Sequence, residues 1–269
     1  MKALKLIIIL FIIFKLPILA QDFEIAPVSM NFIIDPGETE SKLLSVKNHA
    51  NFETTFSIDF ADFTITNDGE RMVSARNSTK NSCADWITVD ETHVTLAPNE
   101  SKQLKVTMSP PDGNYNSRWT IMYVHNVKVK TAFNADKKTT RTGINMSGRI
   151  AVHIYRTPKT RNVTNVTIKH LEEIEMTGNK RTFSAIAKNE GNVISKCKIT
   201  FIAANLKTAK ETEFTPISFK IFPSFSRNIK FELPNTLPAG EYSLVALLDF
   251  GNKKTLSGTR LNKKLIIVK

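Results

Sequence analysis

The chain has 269 residues, 41% of them hydrophobic and 23% charged, with 17 Phe, 10 Gly and 11 Pro. These proportions exclude a disordered chain, a fibrous repeat and a multispan membrane protein, and the length suits one large or two medium domains. Lys and Arg total 37 against 25 Asp and Glu, so the protein is basic, and with only two Cys it is no disulfide-dense scaffold.

Residues 1–20 read as a secretory signal peptide. Lys2 and Lys5 make a positive start, Leu6 to Phe14 is apolar, and Leu19-Ala20 precedes the polar Gln21-Asp22. Lys15 interrupts the run, which argues against a membrane-spanning anchor of about 20 apolar residues. Removing this segment takes away Lys2, Lys5 and Lys15 and no acid, so the remainder stays basic. The charge reads first as a solvated Lys-rich surface, with attraction to acidic partners or anionic envelope polymers as the alternative; nucleic acid is disfavoured outside the cytoplasm, and no Arg/Lys run interleaved with aromatics occurs.

From Phe23 onward, short runs rich in Val, Ile, Thr and Phe alternate with Asn, Gly, Asp and Pro turns, which predicts antiparallel sandwiches. Strands are predicted over Ser29–Ile34, Glu40–Lys47, Thr54–Phe60, Phe63–Thr66, Arg71–Ala75, Trp86–Val89, His93–Leu96, Lys102–Ser109, Arg118–Val124 and Ile144–Arg156, with a hairpin near Lys128–Thr142. Thr157-Pro158-Lys159-Thr160 marks a boundary. Beyond it strands are predicted over Val163–Lys169, Arg181–Lys188, Lys196–Ala203, Ile217–Phe222, Ser226–Leu233, Glu241–Phe250 and Leu261–Val268, with Gly251-Asn252 as a hairpin turn. The reading is all-β: two immunoglobulin-like β-sandwich domains in tandem, at 21–157 and 158–269.

Chemistry is sparse. The histidines keep no zinc-protease spacing, and no nucleophile elbow, Walker loop or dinucleotide fingerprint is present. Glu172 and Glu173 beside His170 read as a solvated edge, and His153 as an outward or hydrogen-bonded ring. Trp86, three residues after Cys83, reads as a core anchor. Cys83 and Cys197 fall in different units and are either a bridge or two separate thiols. No cofactor, metal, small-molecule substrate or catalytic residue is expected, and the protein is read as not an enzyme.

The clearest alternation lies at 144–155. Ile144, Met146, Gly148, Ile150, Val152 and Ile154 share one face; Asn145, Ser147, Arg149, Ala151, His153 and Tyr155 share the other. Such a strand either closes the first sandwich or offers an open edge to a partner strand. Gly148 permits close backbone approach, and Arg149 suits a bidentate carboxylate pair.

The stretch Arg149-Ile-Ala-Val-His-Ile-Tyr-Arg-Thr-Pro158, the signal peptide and the two-unit layout resemble the PapD-like periplasmic pilus assembly chaperones. Thr95-Leu-Ala-Pro-Asn-Glu-Ser-Lys-Gln-Leu-Lys-Val106 and Arg118–Val127 resemble the strands that precede that ending. The chain departs from the family at Ser29-Met30-Asn31-Phe32, which has no Arg or Lys where a second basic anchor is expected. The acid expected before the Arg118 strand is also missing. The resemblance implies a periplasmic chaperone that binds secreted pilus or surface subunits by edge-strand addition. Ile144, Met146, Ile150, Val152 and Ile154 would bind the partner strand, and Arg149 would anchor a C-terminal carboxylate. A two-domain structural or adhesive envelope protein binding a surface partner is the alternative reading.

Overall fold

The computed structural model describes residues 22–127, 148–177, 180–235, 237–251 and 255–267. The expected signal peptide, the Lys128–Thr142 hairpin and Asn252 lie outside the described residues.

Among the described residues, ten strands build the first unit: β1 (Phe23–Ala26), β2 (Ser29–Ile33), β3 (Glu40–Asn48), β4 (Thr54–Ile65), β5 (Arg71–Ala75), β6 (Ile87–Val89), β7 (His93–Leu96), β8 (Ser101–Met108), β9 (Arg118–Asn126) and β10 (Arg149–Thr157). Nine build the second: β11 (Val166–Thr177), β12 (Lys180–Asn189), β13 (Ser195–Asn205), β14 (Glu211–Glu213), β15 (Ile217–Ile221), β16 (Ser226–Leu233), β17 (Gly240–Asp249), β18 (Ser257–Arg260) and β19 (Leu265–Ile267). The first sandwich packs a sheet of order β1-β3-β8-β6 on one of order β2-β10-β9-β4-β5, with β7 also paired to β4. The second packs β11-β12-β16 on β14-β13-β17-β18, with β15 on β13 and β19 on β17. These are two immunoglobulin-like sandwiches.

Alternation drives both cores. In β3, Leu44, Val46 and Asn48 point inward; in β8, Leu104, Val106 and Met108 do; all six are fully buried. The second core repeats the pattern with Phe183, Ala185 and Ala187 against Ile199, Phe201, Ala203, Leu244, Ala246 and Leu248. Phe201 stacks on Phe231 at 4.3 Å. Burying each such large side chain is worth about 1.5–3 kcal/mol.

The structure corrects three expectations. Thr54–Phe60 and Phe63–Thr66 form one strand, β4. The acid that seemed to break them, Asp62, is buried and accepts hydrogen bonds from Thr79 N (2.9 Å), Thr79 Oγ1 (3.0 Å) and Ser82 Oγ (2.6 Å). A carboxylate so satisfied can occupy a strand interior. Glu173 is no solvated edge: β11 runs through it, and its 11% exposed side chain takes a bidentate pair from Arg181 at 2.6 and 3.0 Å. Finally, Cys83 and Cys197 are free thiols buried in separate cores, which removes the bridge alternative.

The units meet on a third apolar cluster. Phe63, Trp119, Ile121 and Tyr123 of the first contact Phe222 of the second, with Tyr155, Ile194 and Phe225 at its margin. Ser117 N donates to Asn192 O, Asn192 Nδ2 to Tyr115 O, and Asn228 N to Asn67 O. At the tip of the β4–β5 hairpin, Gly69 has φ +89°, and a Cβ there would lie 2.2 Å from the Arg227 guanidinium carbon. Only glycine fits that turn at that approach.

Candidate functional site

β10 has unequal neighbours. It pairs antiparallel with β9 along its whole length, from Arg149 opposite His125 to Arg156 opposite Arg118. On its other side it pairs with parallel β2 only from His153 opposite Ser29 to Thr157 opposite Ile33, where His153 N donates to Val28 O at 3.0 Å. The cause lies upstream. β1 is held in the opposite sheet by β3, and the chain crosses over at Ala26–Val28 before it reaches β10. Among the described residues, no strand pairs with Arg149–Val152 on the β2 side. Backbone groups alternate in direction along a strand, so those of Arg149 and Ala151 point the way His153 does, into this open lane.

The expected partner-strand residues divide along this line. Ile144 and Met146 lie outside the described residues. Ile150 is half-buried at the margin of the first core, and Val152 is buried within it; both belong to the one-sided stretch. Ile154 is fully buried, with β9 and β2 on either side. A Cβ at Gly148 would meet the Phe23 ring at 3.0 Å, so the close approach that this glycine permits is to Phe23. Arg149 is exposed, and its guanidinium rests 3.8 Å from the Tyr123 ring centroid, a cation–π contact.

The other face of β10 forms the wall of a cleft between the units. His153 lies 6.2 Å from Phe63, edge to face, and stacks with Tyr155 at 6.5 Å. Arg71 from β5 lies over Phe63 at 4.7 Å and donates through Nη1 to His153 Nε2. Lys220 from β15 brings its ammonium 5.6 Å from the Tyr155 ring centroid. Burial first, then the Arg71 charge, lowers the His153 pKa below its usual 6.5, with Lys220 adding to the effect and the Val28 carbonyl opposing it. The imidazole is therefore neutral at pH 7 and can accept from Arg71. Burial also raises the Tyr155 pKa.

The result is an imidazole flanked by the side chains of Arg71 and Lys220. Among the described residues neither Arg71 nor Lys220 forms an ion pair with a carboxylate. Such a mouth suits an incoming anion, since charge-assisted hydrogen bonds to a carboxylate are roughly twice as strong as neutral ones. Sequence reasoning missed this cluster because residues 71, 153 and 220 come from three distant strands. The available signal was the polar face shared by Arg149, His153 and Tyr155. A further open groove of about 790 Å³ lies between Leu206, Lys207, Lys210 and Tyr242 in the second unit, and neither β10 nor the cleft lines it.

No family model matches the chain, and no curated protein matches it. Solved structures do. A chain from a chaperone–tip adhesin complex of CFA/I fimbriae biogenesis superposes with a TM-score of 0.52 at 14% identity, over 90% of this chain and 98% of that one. The class 5 fimbriae chaperone CfaA gives a TM-score of 0.52 at 15% identity, over 92% of this chain and 99% of that one. This chain thus has the two-sandwich fold of the class 5 fimbriae chaperone CfaA across nearly its whole length.

Proposed function

We propose that the protein is a non-enzymatic periplasmic chaperone or assembly factor, exported by a signal peptide at 1–20, with units at 21–157 and 158–269. It binds secreted pilus or surface subunits by strand addition beside β10. One observation carries this reading: among the described residues, β10 is paired on both sides from His153 onward and on one side only from Arg149 to Val152. The fold shared with fimbrial chaperones supports it. The mechanism needs no cofactor. Backbone groups of Arg149 and Ala151 hydrogen-bond the partner strand, and the apolar side of the stretch, Ile150 and Val152, adjoins the partner's apolar residues. The partner's terminal carboxylate is captured in the cleft by Arg71 and Lys220, with His153 between them. Arg149 provides an outlying cation on the same face.

The test replaces Ala151 by proline. This removes an N–H aimed into the open lane and leaves the β9 ladder its own bonds, as tolerated at sheet edges. With unchanged circular dichroism, Ala151→Pro is expected to lose co-purification of envelope subunits. Arg149→Ala and Arg71→Ala are expected to weaken capture of a peptide with a free C-terminus more than of its amidated form. Full retention of subunits by Ala151→Pro would sink strand addition and favour a module that binds through its loops.

A further inference from the structure

Arg118 and Arg156 stand directly opposite each other in the β9–β10 ladder. Their side chains leave the same face of the sheet, with Cβ atoms about 5 Å apart. That face is the inner one: Val152 and Ile154 precede Arg156 on it, and both are buried. Two like charges meet at the end of a hydrophobic core, on the face of β10 opposite the His153 cleft.

Arg156 is fully buried and held firmly. Its Nε donates to Ile34 O at 3.0 Å, and its Nη1 to Asn114 O and Asn116 O at 2.7 and 3.1 Å. Among the described residues its buried Nη2 has no hydrogen-bond partner, and neither has the buried Nε of Arg118. Both guanidiniums lie near the Trp86 ring, at 5.7 Å for Arg118 and 5.9 Å for Arg156. Among the described residues no carboxylate forms an ion pair with either. Asp35, the acid whose charge reaches Arg156, is engaged by Thr160 N, Thr160 Oγ1 and Lys159 N. Cys83, the other neighbour of both arginines, is a buried thiol whose pKa is raised by burial, so it brings no negative charge.

Opposed like charges destabilise a ladder, and a buried charge without a counterion is costly. Yet both arginines stand there, each with a donor left over. We infer that Arg118, Arg156 and Trp86 form a binding site for a small oxyanion. Arg156 is pre-positioned by three backbone carbonyls, Arg118 is only partly buried, and the Trp86 ring lies 5.9 and 5.7 Å from their guanidiniums. Guanidinium forks match the oxygens of carboxylate and phosphate alike.

The test uses the full mature chain, dialysed free of oxyanions and titrated with phosphate, sulfate or acetate against chloride at constant ionic strength. Melting temperature and tryptophan emission are the readouts. A saturable rise in melting temperature of several degrees is expected, with a parallel change in emission. Response to phosphate and sulfate alone identifies an inorganic ligand; an equal response to acetate identifies a carboxylate. Arg118→Gln should abolish the response while remaining folded. Arg118→Glu should supply the missing charge internally, melting without oxyanion as high as the saturated wild type and responding to none. The proposal is overturned if wild type responds to oxyanions no differently from chloride, if Arg118→Gln responds like wild type, or if Arg118→Glu melts below wild type in oxyanion-free buffer.

Discussion

The indole of Trp119 and the ring of Phe222 meet in a T-shaped contact with centroids 4.7 Å apart, and each belongs to a different sandwich. Trp119 is held in place by its Nε1, which donates to Phe63 O at 2.9 Å. Phe222 is buried, with Phe63 and Phe225 also against its ring at 6.0 and 6.5 Å. Phe222→Ala is expected to cost about 3 kcal/mol, lost from the junction rather than from either core. Calorimetry should then resolve two transitions where the wild type is expected to show one.

Gly69 offers a second handle on the same junction. Any side chain there must adopt a positive φ and push the Arg227 guanidinium off the hairpin tip. Gly69→Val should destabilise the protein by about 1–2 kcal/mol from backbone strain alone. Chemical denaturation checks the loss, and Gly69→Ala should fall between.

The cleft should respond to acid. An unfolded histidine titrates near 6.5, and the folded His153 titrates lower. Between those two values the unfolded chain holds more protons, so stability falls as pH drops through 6.5 and is complete above it. His153→Gln should flatten the melting-temperature profile between pH 7 and 5. A bound carboxylate favours the protonated ring, so peptide capture in the cleft should take up protons. Isothermal titration in two buffers of different ionisation heat reads that uptake directly. The groups that face His153 are the Arg71 and Lys220 side chains and the Tyr155 phenol, whose pKa burial raises.

Asp35 ties the start of the inter-unit connection to the first sandwich. The Thr160 amide, its hydroxyl and the Lys159 amide hold the Asp35 carboxylate below its usual 3.8. The resulting contribution is present above that value and disappears as pH falls through the lowered one. Asp35→Ala should expose the stretch after Thr157 to limited proteolysis at neutral pH, with both sandwiches intact in the fragments.

Much of this was legible in the sequence, and the reasons are local. Alternation at residues 150–155 placed Val152 and Ile154 inside and His153 and Tyr155 outside, because period 2 is a property of the strand itself. Period 2 also links Leu44 to Val46 and Leu244 to Ala246. What escaped depends on neighbours remote in the chain. Nothing local to Ile154 says that β2 arrives beside it, since that follows from where the chain changes sheets after Ala26. Glu173 looked solvated because Arg181 reaches it only once β11 and β12 are paired. Trp86 was singled out as a core anchor, and it does pack on the first core, but the two arginines beside it come from β9 and β10. The expected anchor, Arg149, is one residue of a face whose cationic partners, Arg71 and Lys220, come from β5 and β15.

The lane beside Arg149–Val152 is collinear with β2, and β2 begins at its end. Whatever extended chain enters the lane meets a fixed barrier at Val28. The barrier stands at the level of His153, so in the proposed strand addition one end of the added strand is positioned by this protein. Under that proposal the same short segment that completes the sheet also sets the register in which an added strand would pair.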